Sequence, residues 1–214
     1  MGYRYIFFDL DGTLTDSAPG ITNSVAYALK KYGIDAEPSE LTHFVGPPLI
    51  TSFKSSYGFS DEQAREAVDY YREYFADKGL FENIPYEGIA DTLRRLKEKG
   101  KILVTATSKP EVYAVKIMEH FGLAEYFELI AGSSFDETRT EKHEVIEYAV
   151  EKLAITDRSE VLMVGDRCYD VSGAKAAGME CLAVLYGYGD KTELAEAQYF
   201  ASTPTEVADI ILDL

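Results

Sequence analysis

Tyr5-Ile6-Phe7-Phe8-Asp9-Leu10-Asp11-Gly12-Thr13 is the stretch on which the fold turns. The run from Ile6 to Leu10 reads as a buried strand, and two carboxylates one residue apart at the end of such a strand are not what packing would select. Alternation sends residues i and i+2 to one side, so Asp9 and Asp11 are expected to face a pocket together at the strand's carboxyl end. Two adjacent anions repel: either a cation offsets them or one carboxyl keeps its proton, and both are habits of functional sites. A strand followed by a polar Asp-Gly turn is the plainer reading, and signals further along the chain weigh against it.

Outward from this strand, short apolar runs ending in polar or glycine residues recur at 102–107, 129–132, 161–165 and 181–185, and read as further buried strands. Helical spacing fills the gaps: Ile89, Leu93 and Leu96 before Gly100; Val112, Val115 and Met118 before Gly122; Val145, Ile146, Ala149 and Leu153. Strand and helix in alternation predict an α/β fold with a parallel sheet. Between the first two strands, however, roughly 65 residues carry helix signals only, far more than one crossover needs. A second, all-helical domain is therefore expected as an insertion. Ile21, Val25, Ala28 and Leu29 mark its first helix, Leu49, Ile50, Phe53 and Tyr57 its second, and Ser60-Asp61-Glu62-Gln63 opens a third as a capping box. The expected boundaries are 1–14 and 82–214 for the sheet domain and 15–81 for the insert.

Other polar signals fall at predicted strand ends, where open α/β sheets build ligand sites. Thr105-Ala106-Thr107-Ser108-Lys109-Pro110 leads into a helix, and a hydroxyl with free amides at a helix start can bind phosphate oxygens or simply cap. Gly165-Asp166-Arg167-Cys168-Tyr169-Asp170 again places two acids after a strand, and the two acidic pairs together suggest a metal. The 16 tyrosines, including Tyr186-Gly187-Tyr188, read first as amphipathic packing. Cys168 reads as a small loop residue. Lys109 is equally readable as a phosphate neighbour or a solvent-facing side chain, and Arg167 has no assignment.

These residues resemble the haloacid dehalogenase-like hydrolases, in the branch containing phosphoglycolate phosphatases and beta-phosphoglucomutases. The first family motif matches Asp9 through Thr13, the second Thr107, the third Lys142, and the fourth Gly165-Asp166 with Asp170. Many relatives place the third-motif lysine before proline, whereas Lys142 lies in Thr138-Arg139-Thr140-Glu141-Lys142-His143, so Arg139 is the alternative. The resemblance implies a Rossmann-like sheet core with a small all-α cap, within which Phe44-Val45-Gly46-Pro47-Pro48-Leu49 resembles a branch-specific segment.

It further implies Mg²⁺ held by the carboxylates of Asp9 and Asp166 and the backbone carbonyl of Asp11, an oxygen set that suits this ion. Asp9 is then the nucleophile and Asp11 the acid and base. Thr107, Ser108 and Lys142 bind the phosphoryl oxygens, and Asp170 stands behind the ligands, orienting Lys142 or a metal-bound water, with direct ligation as its second reading. Phe44, Val45 and Pro47 are candidates for touching the leaving group. The expected activity is hydrolysis of a small phosphomonoester, phosphoglycolate-like or a nucleoside monophosphate. A phosphosugar mutase is the alternative, followed by a dehalogenase and by a noncatalytic phosphate-binding protein.

Composition narrows the partners. A formal charge of −16 over 214 residues opposes attraction to nucleic acid or an anionic bilayer. His43, His120 and His143 are scattered and two cysteines do not make a zinc set. Two cysteines also do not make a disulfide scaffold, and the start lacks a signal-peptide pattern, so a cytoplasmic protein is expected, with no membrane partner and an oligomeric state the sequence leaves open.

Overall fold

The structure is a computed structural model that describes residues 2–136 and 138–214. The chain divides into two compact units, one comprising Met1–Thr15 with Pro85–Leu214 and the other Asp16–Ile84.

The larger unit is built on a six-stranded sheet of β1 (Tyr5–Phe8), β4 (Ile102–Pro110), β5 (Phe127–Ser133), β6 (Val161–Gly165), β7 (Glu180–Val184) and β8 (Tyr199–Ala201), in the order β5-β4-β1-β6-β7-β8. Every pairing is parallel. The intervening short strands β2 (Thr15–Asp16) and β3 (Ile84–Pro85) lie where the chain passes between units.

Both faces of the sheet are covered, which is why its strands are apolar on both sides. On one face Phe7, Val104, Met163 and Cys181 pack with Val145, Ile146 and Ala149 of α6 (Lys142–Lys152) and Val171 and Ala174 of α7 (Cys168–Ala176). Ile6, Phe8, Leu103, Leu162 and Leu182 point the other way and are equally buried. There α4 (Ile89–Glu98) touches β4, and α8 (Pro204–Asp213) touches β7 and β8. In α5 (Glu111–His120) the buried residues are Ala114, Ile117 and Met118. Val112, expected on the buried face, is exposed because Ala114, Ile117 and Met118 define that face and Val112 falls on the opposite side of the helix.

The insert is helical, with α1 (Ala18–Lys30), α2 (Leu49–Tyr57) and α3 (Asp61–Asp77). Helix α3 packs on both α1 and α2. Its capping box forms: the Gln63 N–H donates to Ser60 Oγ and the Ser60 N–H donates to Gln63 Oε1. Phe44 and Val45 are buried, and the Phe44 ring lies 5.0 Å from that of Phe53. These two residues are core of the insert.

Strand β1 pairs with β4 on one side and β6 on the other, because the chain builds outward through β4 and β5 and then crosses back to start β6. Such a reversal leaves a crevice at the carboxyl ends of the strands. Asp9 and Asp166 lie just beyond the carboxyl ends of β1 and β6, and Thr107 lies in the last part of β4, at the residue after which its register against β5 shifts.

Candidate active site

Strand β1 stops at Phe8, short of the Leu10 expected for it, and residues 9–15 turn. The N–H groups of Leu14 and Thr15 both donate to the Leu10 carbonyl, and Gly12 takes φ 82°, which only glycine adopts without strain. A Cβ at Gly12 would also collide with the Asp166 carboxylate. The turn sends Asp9 and Asp11 to different partners rather than along one strand face.

Asp9 is 8% exposed. Its Oδ1 accepts from the Leu10 N–H at 2.7 Å and faces Lys142 Nζ at 2.9 Å. Lys142, in the first turn of α6, is buried and saturates its three protons: besides Asp9 it meets Asp170 Oδ1 at 2.8 Å and donates to the Ala106 carbonyl at 2.9 Å. Burial works against its charge, but the carboxylates of Asp170 and Asp9 outweigh it and push the ammonium above its ordinary value. Arg139, the alternative, lies elsewhere: it donates to the Gly132 carbonyl, pairs with Glu111 and covers the Tyr148 ring.

Asp166 and Asp170 are fully buried. Asp170 Oδ2 accepts from the N–H groups of Asp166 and Arg167, fixing the start of α7. Burial, reinforced by Asp9 and opposed by Lys142, pushes its carboxyl up to about 6. Asp166 Oδ2 accepts from the Tyr188 N–H at 2.8 Å, and Oδ1 accepts from the Thr13 hydroxyl at 3.3 Å. Its carboxyl is pushed well above the usual range, first by burial and then by Asp170 and Asp9.

Carboxylate oxygens of Asp9, Asp166 and Asp170 lie within 4.8 Å of one another, an arrangement that could hold a metal ion. The donors are hard oxygens, and one lysine against three buried acids leaves an excess of negative charge, so the residues fit a hard divalent cation.

Thr107 is buried in β4, just before its register against β5 shifts, and its Oγ1 accepts from the Lys109 N–H. Ser108 is exposed beside it. Lys109 is not solvent-facing: its side chain is 5% exposed and its Nζ lies 3.0 Å from Asp11 Oδ2. Arg167 Nε donates to Glu193, and burial raises the Cys168 thiol, so neither carries a reactive group into the site.

The loop after β7 escaped the sequence reading. Tyr186 donates its hydroxyl to the Thr13 carbonyl, and Gly187 packs so closely on Asp166 and the Gly12 carbonyl that a Cβ would collide with both. Glycines on either side of Tyr188 were the available signal, since they allow the backbone to approach an acidic cluster.

Comparison with known proteins agrees with this geometry. A family model described as haloacid dehalogenase-like hydrolase matches residues 6–184. The chain is 46% identical over 198 residues to a 5'-nucleotidase of Pseudomonas aeruginosa, covering 92% of this chain and 89% of that one. It is 40% identical over 206 residues to tyrosine-protein kinase PtkA of Mycobacterium tuberculosis, covering 93% and 69%. The crystal structure of a "predicted phosphatase" from Clostridium acetobutylicum superposes with a TM-score of 0.92 at 49% identity over the whole of both chains. The chain therefore belongs to the haloacid dehalogenase-like hydrolases and is, by class, a phosphatase.

Proposed function

We propose that this phosphatase uses Mg²⁺ and an aspartyl phosphate on Asp9 to hydrolyse a small phosphomonoester, phosphoglycolate-like or a nucleoside monophosphate. The observation that carries the reading is the clamping of Asp9 Oδ1 by Lys142 and the Leu10 N–H, beside the acids Asp166 and Asp170. A carboxylate fixed in one orientation is what in-line attack on phosphorus requires.

Asp9 and Asp166, with the Asp11 carbonyl, would hold Mg²⁺, and Asp170 stands behind them on Lys142. When bound, the ion supplies Lewis-acid charge to the phosphate and offsets the repulsion among the acids. Asp9 attacks phosphorus, and Asp11 protonates the departing alkoxide. Asp11 then takes a proton from water, which releases phosphate from Asp9. Thr107 and the amides around Ser108 donate to the oxygens that gather charge in flight, and Lys142 adds its positive field from behind Asp9.

The 5'-nucleotidase relative supports including nucleoside monophosphates among the substrates. No helix among the described residues is long and apolar enough to cross a membrane. A panel of phosphorylated metabolites, assayed for phosphate release with Mg²⁺ and with chelator, tests the reading. ATP with a tyrosine peptide, added to the panel, tests the acceptor that the mycobacterial relative's name carries. Asp9→Asn should abolish release with the fold intact, and Mg²⁺-dependent release by that variant would exclude Asp9 as nucleophile.

A further inference from the structure

Strand β4 does not run straight to its end. Its register against β5 shifts between Thr107 and Pro110, and Gly132 of β5 lies so close to the Lys109 carbonyl and the Glu111 backbone that a Cβ there would come within 2.6 Å of the former. The strand can close down at this point because Gly132 has no side chain. Through the irregularity Thr107 and Lys109 remain buried while Ser108 between them is exposed, so the lysine is turned inward.

Its ammonium reaches Asp11 Oδ2 at 3.0 Å. The other oxygen, Asp11 Oδ1, is buried and accepts no hydrogen bond. An oxygen in that condition costs stability unless something outside the folded chain completes it. Lys142, saturated by Asp9, Asp170 and Ala106, takes no part in this pair.

We propose that Lys109 is a positioning residue for Asp11: it holds one carboxylate oxygen and thereby leaves Oδ1 as the atom that exchanges a proton with the leaving group and with water. The inference rests on the acid and base role given to Asp11 above. In this role the ammonium acts through its contact with Asp11, so removing it lets the carboxylate rotate without weakening phosphate binding. Misplacement of a reacting group by about 1 Å can cost up to about a hundredfold in rate.

The experiment is a double-mutant cycle on the Mg²⁺-loaded enzyme with p-nitrophenyl phosphate, whose leaving group needs no proton, and with the best alkyl phosphate. K109M should lower kcat for the alkyl ester by roughly tenfold to a hundredfold, with KM changed by less than about threefold. The loss should be smaller for the aryl ester, and K109R should recover part of it. In a D11N background K109M should cost nothing more. K109Q replaces K109M where the latter fails to fold. A KM rise with kcat preserved, or an equal loss in the D11N background, overturns the proposal. Absence of phosphate release by the wild type, or full activity of D11N, defeats the reading of the site instead. In that event crystal structures still decide: an Asp11 carboxylate that keeps its orientation in K109M overturns the positioning role.

Discussion

Gly173 and Lys142 are packed so closely that a Cβ on Gly173 would lie 2.6 Å from Lys142 Cγ and 3.0 Å from its Cβ. Helix α7 approaches the first turn of α6 over a bare backbone, and the lysine stem fills the space a side chain would take. The ammonium at the end of that stem joins Asp9, the Asp170 carboxylate behind it and the Ala106 carbonyl.

Gly173→Ala sets two effects against each other. In an open helix the change would stabilise by about 1 kcal/mol. Here the lysine is held by three partners and cannot move aside, and overpacking of this kind costs about 1–3 kcal/mol. The clash should win: the variant should melt lower than wild type, and its kcat should fall more than its stability at assay temperature explains. Thermal melting and steady-state kinetics on the same preparation test this. A variant more stable and equally active would mean that α7 and α6 separate freely.

Metal binding should depend on pH, with a sign that follows from Asp166. Its native carboxyl is raised by burial, then by Asp170 and Asp9. A group raised in the folded state contributes stability that is fully present below its unfolded value, about 3.9, and is lost as pH rises through the elevated native value. The metal-free protein should therefore lose stability across this window from Asp166, whereas a divalent cation binds the ionised form and releases the proton. The gain in Tm on adding Mg²⁺ should grow with pH over the same window. A gain independent of pH would show that Asp166 is not where the cation binds.

Much of this was legible in the sequence because burial on both faces leaves an unmistakable apolar run. The strands read at 6–10, 102–107 and 161–165 needed no partner to be recognised, although β1 ends two residues before Leu10. Asp9 and Asp166 stood out because acids immediately after such runs have no packing role. Where the sequence misleads, the cause is a tertiary contact. Val112 has helical spacing with Val115 but lies on the side of α5 opposite Ala114, the side the sheet does not cover. Lys109 is readable either way in the sequence, and only the strand end beside Gly132, where it is buried against Asp11, decides between them. Strand β8 and helix α8 were missed: the strand, Tyr199–Ala201, is too short for alternation to show. The Tyr188 amide on Asp166 is a backbone contact, which no side-chain pattern announces.

Asp166→Asn should separate stability from function. The amide keeps the shape of the carboxylate, its carbonyl can still accept from the Tyr188 N–H, and its NH₂ can donate to the Thr13 hydroxyl that now donates to Oδ1. What it removes is a charge buried against Asp170 and Asp9. Sites of this kind are commonly less stable than their neutral substitutes because charge is kept there for function. At neutral pH without metal, the variant should melt higher than wild type, and a rise of about 2–4 °C would correspond to roughly 1 kcal/mol. Addition of Mg²⁺ should raise its Tm little, and phosphate release should fall sharply. Melting curves with and without Mg²⁺ distinguish this from simple loss of structure, since a damaged fold would melt lower in both. A variant that melts lower without metal would mean that the three acids are not in conflict, and the case for a cation between them would lose its physical ground.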